Sequence, residues 1–510
     1  MTAGIVVGLL LLLPVGAEAT VFYVGGNTQG ANWWAGSWAN LQAALDAAAG
    51  SGDVVKVSGN LTRNQGDGSA ALAMSNAFVT LSGGWDADFT AQSWCSAKGV
   101  AAESLLYSVL NAHADAGHPC GSLAITAAGV NVSGFSIRNG YLTPADGVQT
   151  SAGVVVSGGG GVTLSHLVFT GHSMCQAWGA NGGVVLNLNS PSNRVEYVSI
   201  TGNTIGDSTI FGMVKLSPNA LGTTMLANLV ISNNAASAAN WTGSGGSAVG
   251  IAGANIPGMR CTLFGSLIAC NGGKHTVLYL EGPTFFTYDK MVVVNSTVAN
   301  NAGNVHEESY SYCNFYNTIL ADNIAAWDST GVVGGDYTGM RFEHCLVAGE
   351  PSYISRTVGG YDAYPCSGNS AAGTFFTNNA GCGFFDASGA CVQANTGGSG
   401  FTGQSRGDYT LATSSAGFGR GLANYDSRGF AYVEINGTAG YQAGEDVMVD
   451  RMDACSYVNS AADYYYPVDV NGNRWIMRRT YTSDAKLVGT LSMGALSTYV
   501  PPQGTLAVFR

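Results

Sequence analysis

Eight segments between Val132 and Glu350 repeat one local pattern: VSGFSIRNG, LSHLVFTGH, VEYVSITGN, LANLVISNN, LFGSLIACN, VVNSTVANN, FYNTILADN and FEHCLVAGE. Aligned, they give two wholly apolar columns. The first holds Val132, Leu164, Val195, Leu226, Leu263, Val293, Phe315 and Phe342; the second, five residues on, holds Ile137, Phe169, Ile200, Ile231, Ile268, Val298, Leu320 and Val347. Between them a third column drifts from large to small: Phe135, Leu167, Val198, Leu229, Ser266, Ser296, Thr318 and Cys345. Side chains two apart on a strand face the same side, so the middle and second columns share a face. The step of three from the first to the middle column breaks that period and requires a corner. Small or polar pairs stand there, as in Ser133-Gly134, Ser165-His166 and Ala227-Asn228.

Successive anchors of the second column are 32, 31, 31, 37, 30, 22 and 27 residues apart, and a period of roughly 20 to 50 residues reads as a solenoid. Three short strands per repeat are visible in Leu123 to Ile125, Val130 to Val132 and Phe135 to Ile137. The expected architecture is all-β: a single-stranded parallel β-helix whose turns stack at about 4.8 Å, the spacing of neighbouring strands. Gly, Asn and Ser interrupt every run that an amphipathic helix would need. A β-propeller would want four strands per repeat joined by hairpin turns.

Three residues after each anchor stand Gly140, His172, Asn203, Asn234, Asn271, Asn301, Asn323 and Glu350. Five consecutive Asn at one position suggest an amide ladder between turns, and Asn tolerates the left-handed backbone of a sharp turn. These five are read as structural.

At the start, the apolar run Ile5 to Val15 followed by Ala17-Glu18-Ala19 reads as a secretory signal, residues 1–19, cut after Ala19. No later segment reaches the roughly 20 apolar residues of a membrane-spanning helix. The expectation is an exported protein, secreted or held at a bacterial cell surface. Asn40 to Gly50 reads as a short helix with Leu41, Ala44, Leu45 and Ala48 on one face and Gly50 as its stop. It would cap the open end of the coil, which otherwise exposes core and unpaired strand edges. The organisation expected is a cap with the first turns over 20–115, core repeats over 116–350, and loop-rich turns with a cap over 351–510.

Only 10% of residues are charged, Gly numbers 73, and the net charge is −12. Such a chain lacks the basic patches that nucleic acid or an anionic membrane requires. The same balance disfavours an acidic polysaccharide unless calcium bridges the two. Eleven cysteines in an exported chain imply disulfides and leave one over. Cys382 with Cys391 is the expected pair, Cys95 with Cys120 the next, and Cys345, in the middle column, is expected to be a buried thiol.

WANLQAALDAAAGSGDVVKVSG, VTLSGGWDADFTAQSW and SVLNA resemble the amino-terminal half of bacterial polymorphic outer-membrane and choice-of-anchor Q proteins. RGDYTLATSSAGFGRG, VDVNGNRW and VGTLSMGALS resemble their closing blocks, although Ser415-Ala416 lacks the proline of that pattern. The resemblance implies a right-handed, pectin-lyase-like β-helix exported to the surface or medium, usually without catalysis.

Candidate site residues are few. Enzymes of this fold class that cleave polysaccharides need carboxylates on one face of adjacent turns. The densest ionisable patch is His306-Glu307-Glu308, read as a loop and as the candidate catalytic group. Trp33, Trp34, Tyr464, Tyr465 and Tyr466, with the pair Tyr310 and Tyr312, are candidate sugar-stacking rings. Asp469, Asn471 and Asn473 alternate oxygens as a calcium loop does, and Asp446, Asp450 and Asp453 are also suggestively spaced. Structural calcium aside, no cofactor is expected. The sequence thus points to a structural or adhesive protein contacting extracellular polysaccharide or cell-surface components, with a polysaccharide lyase or glycoside hydrolase as the alternative.

Overall fold

The computed structural model describes residues 18–92, 108–143, 150–174 and 183–205, and shorter stretches within 212–348 and 401–491. From Val21 to Ala348 the named strands pair in parallel, in sheets of 19, nine and four strands. This is a parallel β-helix. The first sheet carries both apolar columns in register: Val132 stands beside Leu164, Leu164 beside Val195, and so on to Phe342, while Ile137 begins the second line, which ends at Val347. Every member from Val132 to Phe315 and from Ile137 to Leu320 is buried. The second sheet runs from Leu72–Met74 to Val333–Gly334 and closes the opposite wall with Leu123, Val154, Leu186, Val214, Val249 and Leu278.

The corner between the columns is a left-handed residue in each turn from Gly134 to Asn317 whose corner is described. Gly134, His166, Tyr197, Asn228, Gly265, Asn295 and Asn317 have φ between 46° and 77°. A non-glycine residue resists this conformation by roughly 1–2 kcal/mol, so contacts between turns must offset it. The His166 and Tyr197 rings stack at 5.1 Å and 18°, and Asn317 Nδ2 donates to Asn295 Oδ1 at 3.1 Å. The drift of the middle column has a related cause. Ser266 and Ser296 hydroxyls donate to Phe264 and Val294 carbonyls and accept from Leu229 and Ser266 amides of the turn before, at 2.9 to 3.2 Å. Packing by Phe135 and Leu167 gives way to hydrogen bonding at the same corner.

The amide column forms a continuous ladder. Each of Asn203, Asn234, Asn271 and Asn301 donates from Nδ2 to the Oδ1 of the next, at 2.8 to 3.0 Å. The same Oδ1 also accepts the backbone N–H of the turn before, at 2.9 to 3.4 Å. Each Nδ2, that of Asn323 included, also reaches back to the anchor carbonyl of the preceding turn, from Phe169 to Val298, at 2.8 to 3.1 Å. The left-handed residue of this bend is not the asparagine but the one before it: Asn139, Gly171, Gly202, Asn233, Cys270 and Asn300. His172 heads the ladder in the same roles, Nδ1 accepting from Gly140 N at 3.1 Å and Nε2 donating to Ile137 O at 2.9 Å. Gly140 cannot extend it, because a Cβ there would stand 1.8 Å from Ala152 O.

The helix spans Trp38–Ala47, with Ser37 Oγ accepting from Asn40 N at 3.1 Å. It buries Trp38, Leu41, Ala44 and Leu45. It stops before the expected Gly50: Ala48 N still donates to Ala44 O, but Ala49 N turns to Ala47 O, and Asp53 then collects the Gly50 and Thr20 amides at 2.7 and 2.8 Å. Gln42 takes the place of a strand at the edge of the second sheet: its Oε1 accepts from Ala73 N at 2.8 Å and its Nε2 donates to Ala73 O at 3.1 Å. That satisfies an edge that would otherwise invite pairing.

After residue 400 the strands are antiparallel rather than further turns. Phe401–Gly403 pairs with Asp408–Leu411, and five strands between Gly421 and Leu491 form one antiparallel sheet. Tyr409, with Phe401, covers the outer flank of the late turns at Leu267, Ala269, Ala299, Ile319, Ala321 and Leu346. Its hydroxyl meets Cys270 Sγ at 2.9 Å and accepts from Asn300 Nδ2 at 3.1 Å. Cys120, Cys261, Cys270 and Cys345 are free thiols. Cys120, expected to bridge to Cys95, instead donates from Sγ to Gly121 O at 3.1 Å; Cys345 is the buried thiol expected. Cys95, Cys382 and Cys391 lie outside the described residues.

Burial pushes His172 down to about 4 from the usual 6.5, and His166 likewise. Both are therefore neutral when folded and bind protons when unfolded. Their stabilisation is complete above pH 6.5 and is lost as pH falls toward 4, by up to about 3 kcal/mol each. His172→Asn should keep the ladder, since asparagine already plays this part in later turns, and remove one histidine's share of that loss. Urea midpoints at pH 7 and pH 5 check this: the variant should lose less stability between them than the native chain.

Candidate functional site

The structure places the ionisable candidates on a strand. His306, Glu307 and Glu308 lie not in a loop but in the strand Asn304–Ser309, between Thr276–Glu281 and Val333–Gly334 in the second sheet. Register aligns His306 with Leu278, a member of the buried wall, and Glu308 with Leu280 in the line of Leu216 and Ile251. Glu307 falls on the other line, with Tyr279, Gly250, Lys215 and Asn187.

That second line was not singled out from the sequence. Asn187 and Lys215 are fully buried and Tyr279 nearly so, although their positions alternate away from the core wall. The signal was available: a polar residue between two aliphatic ones, in LNL, VKL and LYL.

The aromatic candidates sort differently. Trp33 and Trp34 form the edge strand beside Val21–Val24, with Trp33 opposite Tyr23 and Trp34 opposite Val24. Trp34 follows Val24 inward, lying 5.8 Å from the Phe22 ring and against the core. Trp33 follows Tyr23 onto the outer face, its Nε1 donating to Gly25 O at 2.8 Å. On the other side of Tyr23 stands Lys56, whose Nζ lies 3.7 Å from the Trp85 ring centre and 5.9 Å from that of Tyr23. Trp85 is fixed through Nε1 to Ser82 Oγ at 3.1 Å, and Phe89 meets Tyr23 edge-on at 5.0 Å. Tyr23, Trp33, Lys56 and Trp85 are each half-buried. They form a strip of rings across the outer face of the first turns, with one ammonium among them.

The segment from Asp86 to Ala91 holds the strip in place. Asp86 accepts from Thr90 N and Oγ1, both at 2.7 Å, which holds its pKa below the ordinary carboxylate value. Asn27 ties the segment to the first strand, through its N–H to Ala87 O and its Nδ2 to Asp88 Oδ1, both at 2.7 Å. Gly26 lies directly beneath, left-handed at φ 56°, where a Cβ would stand 2.5 Å from Ala87 O. Burial lowers the pKa of Lys56.

Tyr310, Tyr464, Tyr465, Tyr466, Asp450, Asp453, Asp469, Asn471 and Asn473 lie outside the described residues, while Tyr312 begins the strand Tyr312–Tyr316. Asp446 is buried and accepts from Gln442 N at 2.8 Å. Among the described residues no three His, Cys, Asp or Glu side chains gather as a metal site would require.

No family model matches the chain. No curated protein matches it. Among solved structures the chain is similar to pectate lyase Pel9A, at 12% identity and a TM-score of 0.32, over 61% of this chain and 79% of that one.

Gly26→Ala should force the 86–91 segment off the first strand, at a cost of roughly 1–3 kcal/mol from the left-handed backbone and the clash. Tryptophan fluorescence checks it: Trp85 emission should shift to the red, while melting of the later turns is unchanged.

Proposed function

We propose that this chain is an exported structural protein of the cell surface, an adhesive β-helix that binds extracellular glycan without catalysis. The observation that carries the reading is the outer strip of Trp33, Tyr23 and Trp85, whose rings are pinned by hydrogen bonds and ring contacts yet half-open. Flat aromatic bodies fixed in advance offer apolar contact area at little entropic cost. Export is inferred from the apolar run Ile5 to Val15 before Ala17-Glu18-Ala19. Kinship with choice-of-anchor Q and polymorphic outer-membrane proteins is proposed on the sequence blocks given above.

Cleavage of a polysaccharide is the second reading. What favours it is the register of Lys215 with Asn187, Tyr279 and Glu307, which sets an amine and a carboxylate in one line of the second sheet, the residue types that acid–base cleavage uses. The two readings separate on a panel of immobilised and soluble polysaccharides. Retention without new reducing ends or unsaturated products, weakened about tenfold or more in a Trp33→Ala, Trp85→Ala double variant, is the expected result. Release of oligosaccharide that disappears in Lys215→Met or Glu307→Gln would overturn it.

A further inference from the structure

Lys56 stands among aromatic rings. Among the described residues no carboxylate forms an ion pair with it, and burial alone shifts its titration. The acidic residues that follow Trp85 are otherwise engaged, with Asp86 on Thr90 and Asp88 on Asn27. What holds the ammonium is the face of Trp85, with Tyr23 alongside. A ring attracts a cation through its quadrupole but does not cancel its charge, as a carboxylate would.

A ligand lying across Trp33 and Tyr23 must cover Lys56 as well, because register places Lys56 one strand beyond Tyr23, a step of about 4.8 Å. A neutral sugar would strip water from the ammonium and return no charge, which is costly. Neutral and acidic sugars can both accept from the three N–H donors, but only an acidic sugar returns a counter-charge and with it the stronger, charge-assisted bond. We propose that the strip selects an anionic glycan, a pyranose chain bearing carboxylate or sulfate groups, with Lys56 as the residue that recognises the anion and Trp33 and Tyr23 as the platform for the ring. This rests on the glycan-binding reading of the same strip. The chain's net charge of −12 repels polyanions at a distance, and physiological salt screens that repulsion beyond about 8 Å while leaving a direct contact largely intact.

The test compares retention on matched polymers at physiological ionic strength: cellulose with carboxymethylcellulose, and dextran with dextran sulfate. Lys56→Met keeps the packed stem without the charge, and Lys56→Arg keeps the charge. The native chain should be held more tightly by a charged polymer than by its neutral parent, and the two charged polymers report whether carboxylate or sulfate is preferred. Lys56→Met should lose about tenfold in affinity for the preferred polymer, with Lys56→Arg near native and both variants melting as the native chain does. Equal retention on charged and neutral polymers, or a Lys56→Met variant that binds undiminished, would overturn the role of Lys56 while leaving glycan binding standing. No retention on any of the four polymers would remove both.

Discussion

Hydrogen bonds between identical side chains on successive turns are what the rest of this molecule depends on. In the ladder from Asn203 to Asn323 each amide serves the turn before and the turn after, so none can be satisfied unless its neighbours are in register. A made bond of this kind contributes only about 1 kcal/mol net, whereas a buried amide left without a partner costs about 1–3 kcal/mol. The asymmetry makes the ladder a device for register more than for strength. A slip of one residue would orphan the amides and turn both apolar columns outward together.

Given that register, the outside of the coil changes character along its length. In the late turns the outer flank is apolar, at Leu267, Ile319 and Leu346, and a hairpin from far along the chain lies on it through Phe401 and Tyr409. In the first turns the outer face carries Tyr23, Trp33, Lys56 and Trp85, and what braces it is the short 86–91 segment. The helix occupies the end and the inner edge, with Gln42 completing the second sheet and Trp34 sealing the core. The outer strip is left half-open.

The sequence makes the coil legible because burial writes it in fixed spacing: an aliphatic residue, five positions to the next, three more to an amide. It also shows the helix, whose stop lay hidden because the run of alanines from Ala47 to Ala49 carries no breaking residue where the bonds turn. His306, Glu307 and Glu308 looked like loop residues since three consecutive ionisable residues show no apolar alternation, yet they pair in register with the strand Thr276–Glu281. The antiparallel strands after Gly421 carry no repeating anchor and so left no signal. Lys56 and Trp85 were invisible for another reason: they meet only through the register of adjacent turns, and nothing local in either segment announces the other. Lys215 was overlooked because a single polar residue in VKL resembles an ordinary outward strand position, while its burial depends on what covers that face.

The central claim is that successive turns stack in register from the first strands into the core repeats. Thr80, Asn131, Thr163, Arg194 and Met225 occupy one outer line on five neighbouring strands. Spin labels placed at Thr80 and Met225 should therefore lie four strand steps apart. Pulsed electron paramagnetic resonance should give a narrow distance distribution centred near ~19 Å plus the reach of the labels. A broad distribution, or a centre well beyond 30 Å on the order expected of an unstacked chain, would contradict the coil and everything placed upon it.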